Sequence, residues 1–508
     1  MPPSKLACSR RPAAGRDRRS PQITGWRAAL VALLGLASAG CGRERAERPP
    51  VAAPAPAATT TAARGLRLEP FRFESAAGDV VDAELGHLAV PEHRRAPASR
   101  TVSLAFVRFR ATTATPGPPI VYLAGGPGGS GIDAAGGPRF ALFMALRAVG
   151  DVIALDQRGT GRSNAIPPCD APTPWPLDRP TTRAGYTAWL ADTARHCAAW
   201  WRARGVDLDG YDTVESADDL EALRQALGAP SLRLVGISYG THLAMAAMRR
   251  HGAHLDRVVL ASAEGPDEMI KLPGQTQAFL ERTFADAERA ALRAALQRLD
   301  AAPARVDVTD PRTGARAKLA ISKLDLQLVV GYMSKNPSSQ RTLAMLLPAL
   351  AQGDFTLLAP PLLEAAQQAT VMRGMPEAMD AASGVSAARR ARIAAEAPGT
   401  LLEDTLNFPG VALAEPLGVT DLGDEFRAPL RSDVPTLLLS GDRDGRTYVD
   451  SHRALAAGLT RATHVIVEGA GHDLFMDAPA ITERIVAFLA GEPVSAAPIR
   501  SIANPPPR

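Results

Sequence analysis

A serine between two glycines, in the segment Gly236-Ile237-Ser238-Tyr239-Gly240, follows a short apolar run and precedes a stretch with helical composition. Glycines on both sides of a sharp strand-to-helix turn remove Cβ atoms that would clash there, and such a turn lifts the serine hydroxyl above the sheet. A helix that begins directly behind the serine also favours a developing negative charge at this place. The pattern predicts Ser238 as a nucleophile, and the competing interpretation is a set of small residues that pack a strand against a helix.

An alcohol attacks a carbonyl efficiently when a base removes its proton and an acid orients that base. Two later turns, each just past a short apolar run, supply Asp444 and His472 in the chain order serine, acid, histidine. We predict that His472 is the base and Asp444 the orienting acid. Asp442 in the same turn is the second choice for the acid, and Glu264 occupies another strand end that can supply one. The alternative for Asp444 and His472 is a turn-capping role.

The loop LAGGPGGSG, residues 123–131, is rich in glycine and follows another apolar run. Backbone N–H groups in such a loop can point inward, and a tetrahedral oxyanion needs two donors. We predict the N–H groups of Gly126 and Tyr239 as these donors, with Gly125 as the alternative to Gly126. A phosphate-binding loop is disfavoured because the Lys-Ser/Thr ending is missing.

The elements that must position these groups alternate along the chain. Three runs between residues 66 and 112 read as strands, and PIVYLAGG and DVIALDQRG read as buried parallel strands. SADDLEALRQALGA has helical periodicity with a capping signal at its start and glycine at its end. The alternation predicts an α/β fold with a mostly parallel sheet and helices on both faces.

Residues 266–420 interrupt this alternation because they are rich in Ala, Leu, Met and Arg and read as several helices. Two buried strands and a closing helix then resume the pattern, which predicts an inserted helical cap. The predicted organisation is a signal peptide (1–41), a disordered linker (42–65), the first core part (66–265), the cap (266–420), the second core part (421–495) and a tail (496–508).

The motifs GGPGGSG, DQRGTGRS, GISYGTHLA, SGDRDGRT and GAGHD, in this order and spacing, resemble those of the α/β-hydrolase-fold serine peptidases of the proline iminopeptidase and tripeptidyl aminopeptidase type. The likeness spans residues 80–265 and 430–480. It implies the α/β-hydrolase fold with a cap and cleavage of a peptide bond near a free amino terminus. Relatives bind that amino terminus through carboxylates, and Glu264 is the best local match for this role, with a surface or turn role as the alternative.

The first residues of the chain indicate export. An Arg-rich stretch leads into an apolar segment of about 14 residues, too short for a comfortable membrane span, which ends in SAGC. This ending resembles a lipoprotein cleavage site, so we predict that Cys41 is lipidated and anchors the protein at the cell envelope. The alternative is an ordinary secretory signal and a periplasmic or secreted protein. Cys169 and Cys197 then remain as one pair in an oxidising compartment, which favours a disulfide over two separate thiols.

Composition excludes several other classes. The formal net charge of +4 is small for 508 residues, and no basic stripe interleaved with aromatic residues suggests nucleic-acid binding. The sequence contains neither a CxxC nor an HExxH motif, so it does not suggest a metal site. The chemistry of a Ser-His-Asp triad needs no metal or organic cofactor. The residues therefore predict an exported serine hydrolase, and the resemblance implies that it is an aminopeptidase. An esterase or other acyl hydrolase with the same triad is the first alternative, and a non-catalytic binding lipoprotein is the second.

Overall fold

The computed structural model describes residues 65–164, 166–310, 312–408 and 410–502. The predicted signal peptide, the lipidation site at Cys41 and nearly all of the predicted linker lie outside these residues. Within them, no helix combines the length and apolar character that a membrane crossing would need.

Ten strands form the main sheet, in the spatial order β1-β2-β3-β5-β4-β7-β8-β12-β13-β14. The strands of the molecule are β1 Leu66–Glu74, β2 Val80–Pro91, β3 Thr101–Phe109, β4 Gly117–Leu123, β5 Gly150–Asp156, β6 Cys169–Asp170, β7 Leu232–Ile237, β8 Leu255–Ala261, β9 Ala304–Thr309, β10 Arg316–Ile321, β11 Val371–Met372, β12 Thr436–Gly441, β13 Ala462–Glu468 and β14 Ile499–Arg500. The first three strands are antiparallel, β3 pairs antiparallel with β5, and the strands from β5 to β14 run parallel.

Helices pack on both faces of this sheet and fill the insertion. They are α1 Gly131–Gly136, α2 Phe140–Leu146, α3 Arg183–Arg202, α4 Thr213–Leu227, α5 Tyr239–His251, α6 Pro273–Thr283, α7 Asp286–Ala301, α8 Lys323–Met333, α9 Pro337–Ala351, α10 Ala359–Gln368, α11 Met375–Ser383, α12 Ala387–Glu396, α13 Ala414–Leu417, α14 Gly423–Arg427, α15 Val449–Ala456 and α16 Pro479–Ala490.

Alternating side chains of the central strands separate into two apolar layers. Leu234 of β7 faces the layer that holds α4 and α5, whereas its neighbour Val235 faces the layer that holds α2 and α16. Both side chains are fully buried. Because both faces are covered, the central strands are mostly apolar and lack a regular alternation of apolar and polar residues.

One helix begins earlier than its sequence pattern indicates. The pattern places the capping residue of α4 at Ser216, but the helix begins at Thr213 because the Asp212 side chain accepts the Glu215 N–H at 2.7 Å. Gly228, with φ 65°, ends the helix in the left-handed conformation that favours glycine.

The segment between β8 and β12 contains the residues 266–420 that the sequence predicts as a cap. It has its own apolar core, with Phe279, Leu296 and Leu343 among its buried members. It also contains the hairpin β9–β10, which the sequence analysis missed although its residues partly alternate. The predicted tail likewise contains β14, which pairs with β13 at the edge of the main sheet.

A disulfide joins Cys169 of β6 to Cys197 of α3. The strand that carries Cys169 also pairs with β11 of the cap, where Met372 lies opposite Cys169. The disulfide therefore fixes β6, and β6 in turn pairs with β11, the strand just before α11.

Candidate active site

The candidate site residues follow neighbouring parallel strands at their carboxyl ends, where open α/β sheets place their ligand crevice. Gly126 comes after β4, Ser238 after β7, Glu264 after β8, Asp444 after β12 and His472 after β13. These five strands are adjacent in the sheet, so residues more than 300 positions apart in the chain meet at one edge.

Ser238 occupies a strained turn between β7 and α5, with φ 55° and ψ −129°. A Cβ atom on Gly236 would lie 2.6 Å from the Gly240 carbonyl oxygen, and one on Gly240 would lie 2.1 Å from the Leu123 oxygen. Neither contact is possible for a real side chain, so both glycines are needed for the turn that presents the hydroxyl. Strain of this kind persists only where the surrounding structure imposes it.

The imidazole of His472 connects the serine to the acid. Its Nε2 lies 2.9 Å from Ser238 Oγ, and its Nδ1 lies 2.9 Å from Asp444 Oδ2. An ionised carboxylate only accepts, so the Nδ1–H donates to Asp444 and the Nε2 lone pair faces the serine hydroxyl. This is the tautomer in which the histidine can remove the serine proton.

Asp444 is held as a carboxylate by its own turn. Its oxygens accept hydrogen bonds from the Arg446 N–H at 2.7 Å, the Thr447 N–H at 2.9 Å and the Thr447 hydroxyl at 2.6 Å. Burial alone would raise the pKa of Asp444, but His472 and the Thr447 hydrogen bonds outweigh it and lower the pKa to about 2. The acid therefore stays ionised at neutral pH and stabilises an imidazolium.

The glycine-rich loop lies directly against the nucleophile. A Cβ atom on Gly125 would approach Ser238 Cβ at 3.0 Å, and Gly126 has φ 128°, a conformation that side chains rarely adopt. Tyr239 is the first residue of α5, where helix N–H groups lack intrahelical acceptors. The glycine-rich loop and the start of α5 therefore both lie next to Ser238, and the roles of the Gly126 and Tyr239 N–H groups as oxyanion donors stay predictions.

Three residues outside the triad hold His472 in place, and the sequence analysis did not find them. The Lys335 carbonyl accepts the His472 N–H at 2.9 Å, and the Ser262 hydroxyl donates to the His472 carbonyl at 2.8 Å. Ser262 itself has a left-handed backbone conformation, with φ 49°. Asn336 acts on the residue after His472, because its Oδ1 accepts the N–H of Asp473 at 3.1 Å. Lys335 and Asn336 belong to the cap, so the cap contributes directly to the position of the base.

The alternative acid and the other histidines have separate partners. Asp442 is exposed and accepts the Gly469 N–H at 2.7 Å, so it caps the turn before His472 and does not orient the imidazole. His452 lies between Ser440 Oγ at 2.6 Å and the Ala263 carbonyl at 2.9 Å.

The charged segment after β5 connects loops through its arginine side chain. Arg158 donates two hydrogen bonds to the Asp219 carboxylate, at 2.8 and 2.7 Å.

Glu264 is buried beside the triad, but its charge already has a partner. Lys271 Nζ donates to Glu264 Oε1 at 2.6 Å, and both side chains are almost fully buried. Burial would raise the pKa of Glu264, but Lys271 and Arg446 outweigh it and lower the pKa. Glu264 is therefore an ionised carboxylate that forms an ion pair with Lys271.

A second carboxylate, Asp380 on α11, has no ion-pair partner in the described part of the chain, and the charges of Arg446 and Lys271 offset only part of its cost of burial. Its Oδ1 is buried without a hydrogen-bond partner in the described part of the chain. Burial, followed by the repulsion of Glu264, raises the pKa of Asp380 to about 7. The same helix lies over the oxyanion loop, since a Cβ atom on Gly128 would be 2.6 Å from Pro376 Cγ. The sequence around Asp380 contains no signal for this role, because Glu264, Lys271 and Arg446, which act on it, are distant along the chain.

A cation, Lys335, also interacts electrostatically with Asp444. Burial, followed by the charge of Arg446, lowers the pKa of the Lys335 ammonium to about 8, while Glu264 and Asp444 act in the opposite direction. Arg446 donates to the Leu406 carbonyl at 3.1 Å. Among the described residues, no three His, Cys, Asp or Glu side chains are grouped as metal ligands.

Comparisons with known proteins agree with this geometry. The family model described as alpha/beta hydrolase fold matches residues 118–305, and the model described as TAP-like protein matches residues 421–496. These segments contain Ser238 in the first match and Asp444 and His472 in the second.

Two kinds of curated relatives share sequence with the chain. The serine protease Hip1 of Mycobacterium tuberculosis is 28% identical over 264 residues, which cover 50% of this chain and 48% of that protein. The tripeptidyl aminopeptidase of Streptomyces coelicolor is 28% identical over 193 residues, which cover 36% of this chain and 35% of that protein. The chain therefore spans about half the length, or less, of the curated relatives it matches.

Among solved structures, the proline iminopeptidase of Mycobacterium smegmatis aligns over 80% of this chain and 98% of that chain, with 16% identity and a TM-score of 0.44. The predicted resemblance and the predicted fold class are both confirmed by the family matches and the named relatives. The chain has the α/β-hydrolase fold and is similar to curated proteins named serine protease and tripeptidyl aminopeptidase.

Proposed function

We propose that the protein is an exported serine hydrolase that cleaves peptide bonds near a free amino terminus through an acyl-enzyme. The observation that carries the proposal is the continuous hydrogen-bonded line from Ser238 through His472 to Asp444, next to a glycine-rich loop. The relatives named as serine protease and tripeptidyl aminopeptidase support a peptide as the substrate.

In the proposed reaction, Ser238 Oγ attacks the peptide carbonyl carbon while His472 Nε2 takes the hydroxyl proton. Asp444 keeps the imidazole oriented and stabilises the imidazolium, and the N–H groups of Gly126 and Tyr239 stabilise the oxyanion. His472 then gives its proton to the leaving amine, the C–N bond breaks, and the ester on Ser238 remains. A water molecule attacks this ester with His472 again as base, and Ser238 recovers its proton.

We propose that Glu264 and Asp380 together bind the substrate's ammonium group. Glu264 alone is already neutralised by Lys271, so a second carboxylate is needed to accept another cation. Asp380 has an unpartnered buried oxygen and interacts electrostatically with Glu264. An ammonium ion placed between them would satisfy that oxygen with a charge-assisted hydrogen bond.

Export and attachment through a lipid on Cys41 are part of the proposal, supported by the sequence of the first 41 residues. A disulfide between Cys169 and Cys197 is consistent with folding in an oxidising compartment. A periplasmic or secreted form without the lipid is the alternative location.

The test is hydrolysis of a chromogenic tripeptide anilide in two versions, with a free and a blocked amino terminus. We expect strong preference for the free amine, and loss of activity with both versions in Ser238→Ala. Asp380→Asn should raise KM for the free peptide more than for the blocked one, because only the free peptide brings an ammonium group. Equal rates on both peptides, or cleavage of simple esters alone, would indicate the esterase alternative. No hydrolysis of any of these substrates by the wild type, together with a binding function that Ser238→Ala leaves intact, would indicate a binding protein.

A further inference from the structure

The cap loop that contains Lys335 contacts the catalytic base. The carbonyl of Lys335 accepts the His472 N–H at 2.9 Å, so the backbone of this lysine lies next to the histidine. Gln340 of α9 holds the loop to the acid turn, because its Nε2 donates to the carbonyls of Ser334 and Arg443, both at 2.7 Å. The position of Lys335 relative to the triad is therefore fixed by both catalytic turns.

The Lys335 ammonium has no carboxylate partner among the described residues. Its Nζ lies over the ring of Tyr332, at 4.7 Å from the ring centroid. The two carboxylates that act on it electrostatically are Asp444, which His472 and Thr447 already engage, and Glu264, which Lys271 already engages.

A second cation increases this positive excess. Arg446 interacts electrostatically with Lys335, and its guanidinium donates to a backbone carbonyl without a carboxylate within ion-pair distance in the described chain. The Lys335 side chain is enclosed by protein but not sealed from solvent. An enclosed ammonium without an anion is unfavourable, and a ligand carboxylate would relieve this cost.

We propose that Lys335, assisted by Arg446, binds a carboxylate on the leaving-group side of the substrate. This inference rests on the proposed peptidase function. The imidazole of His472 must lie within hydrogen-bond distance of the leaving amine to protonate it. The four-carbon side chain of Lys335 starts beside that imidazole, and an extended residue spans at most about 3.6 Å. The carboxylate therefore belongs to the first or second leaving residue.

Two sources supply such a carboxylate: the C-terminal carboxylate of a short leaving fragment, or an acidic side chain in it. The enzyme accordingly favours short peptides with a free carboxyl end, or peptides with Asp or Glu just after the cleaved bond.

The experiment compares matched peptides, all with a free amino terminus. One series contains oligo-alanines of three to six residues, each as the free acid and as the carboxamide. The second contains carboxamides with Glu or Gln as the first leaving residue. We expect kcat/KM to be roughly 10- to 100-fold higher for at least one acidic member of a pair, since a hydrogen bond to a charged group contributes about 1.5–3 kcal/mol. In the first series the preference should fall as the leaving fragment lengthens.

The variant Lys335→Met should reduce this ratio to below about threefold, and Lys335→Glu should favour the amide. The ratio of two rates in one preparation is unaffected by the fraction of active enzyme. Lys318→Met is the matched control, because Lys318 lies in the same cap but is 83% exposed, and its ratio should equal that of the wild type.

Wild-type enzyme that cleaves acid and amide members equally in both series would overturn the carboxylate site and leave the peptidase proposal intact. A preference that persists in Lys335→Met would overturn the role of Lys335. If no free-amine peptide were cleaved in a Ser238-dependent manner, the proposed function itself would fail. A preference in the oligo-alanine series identifies the terminal carboxylate, and one in the Glu/Gln series identifies the side chain.

Discussion

Asp380 should make the free protein less stable as the pH rises. Its carboxyl has a pKa of about 7 in the folded protein, because burial and the nearby Glu264 disfavour the charge. The ordinary value in an unfolded chain is about 3.9. The folded state therefore binds the proton more tightly than the unfolded state. Its stabilising contribution is fully present below about pH 4 and is lost as the pH rises through about 7.

The size of the effect follows from this difference in pKa. Each pKa unit corresponds to 1.36 kcal/mol, so complete ionisation of Asp380 lowers the free energy of unfolding by about 4 kcal/mol. Between pH 5 and pH 8 the expected loss is about 2.5 kcal/mol. Asp380→Asn cannot ionise and removes this loss. Hydrogen bonds made or missed by the new amide act equally at both pH values and cancel from the comparison.

The assay is urea unfolding of wild type and Asp380→Asn at pH 5 and pH 8. We expect the variant to gain about 2.5 kcal/mol relative to wild type between the two pH values. Asp307→Asn is the control, because that aspartate is 85% exposed and should give a difference near zero. A difference between Asp380→Asn and wild type that does not change with pH would show that Asp380 is not an unpaired buried carboxyl, and the proposed ammonium site would lose its main support.

Three further outcomes are expected. Asp444→Asn should lower kcat by about 10⁴-fold because the amide no longer fixes the imidazole tautomer, whereas Asp442→Asn should change kcat by less than about threefold; steady-state kinetics on one peptide measures both. Replacing Cys169 and Cys197 with alanine should lower the free energy of unfolding by about 3–4 kcal/mol, since the bridge spans 28 residues, and equal urea midpoints for variant and wild type would contradict this. Cys41→Ser should move the protein from the membrane fraction to the soluble fraction, and unchanged fractionation would exclude the lipid anchor.

The proximity of Ser238, His472 and Asp444 could be predicted because each residue has a local signal. Ser238 has glycines on both sides that the turn requires, and Asp444 and His472 each follow a buried strand by a few residues. In a parallel sheet, those strand ends meet at one edge whatever their separation along the chain. The residue type, together with its position just after a parallel strand, was enough to predict that these three side chains lie near one another.

The residues that hold and surround the triad have no comparable signal. Lys335, Ser262 and Asp380 lie in a helix–helix loop, a strained turn and a helix, and nothing in their neighbouring sequence distinguishes them. Their roles depend on contacts between segments tens to hundreds of residues apart. The prediction for Glu264 has the same limit, because a side-chain contact cannot be inferred from the local sequence. Its position after β8 indicated a carboxylate at the site, but nothing in the sequence indicated that this carboxylate pairs with Lys271.

The segment predicted as a cap is consequently in direct contact with the turns that carry His472 and Asp444. Its loop before α9 accepts the N–H of His472 through Lys335, and Gln340 in the same cap bonds to the carbonyl of Arg443 beside the acid. A displacement of this loop would remove the hydrogen bond between the His472 N–H and the Lys335 carbonyl. It would also weaken the hydrogen bond from Gln340 that holds the turn of Asp444. The same segment brings Lys335 to the site, while α11 brings Asp380. Two parts of the cap thus bring a cation and a carboxyl group close to the same candidate site, and these are the charges that the two proposed contacts with a peptide require.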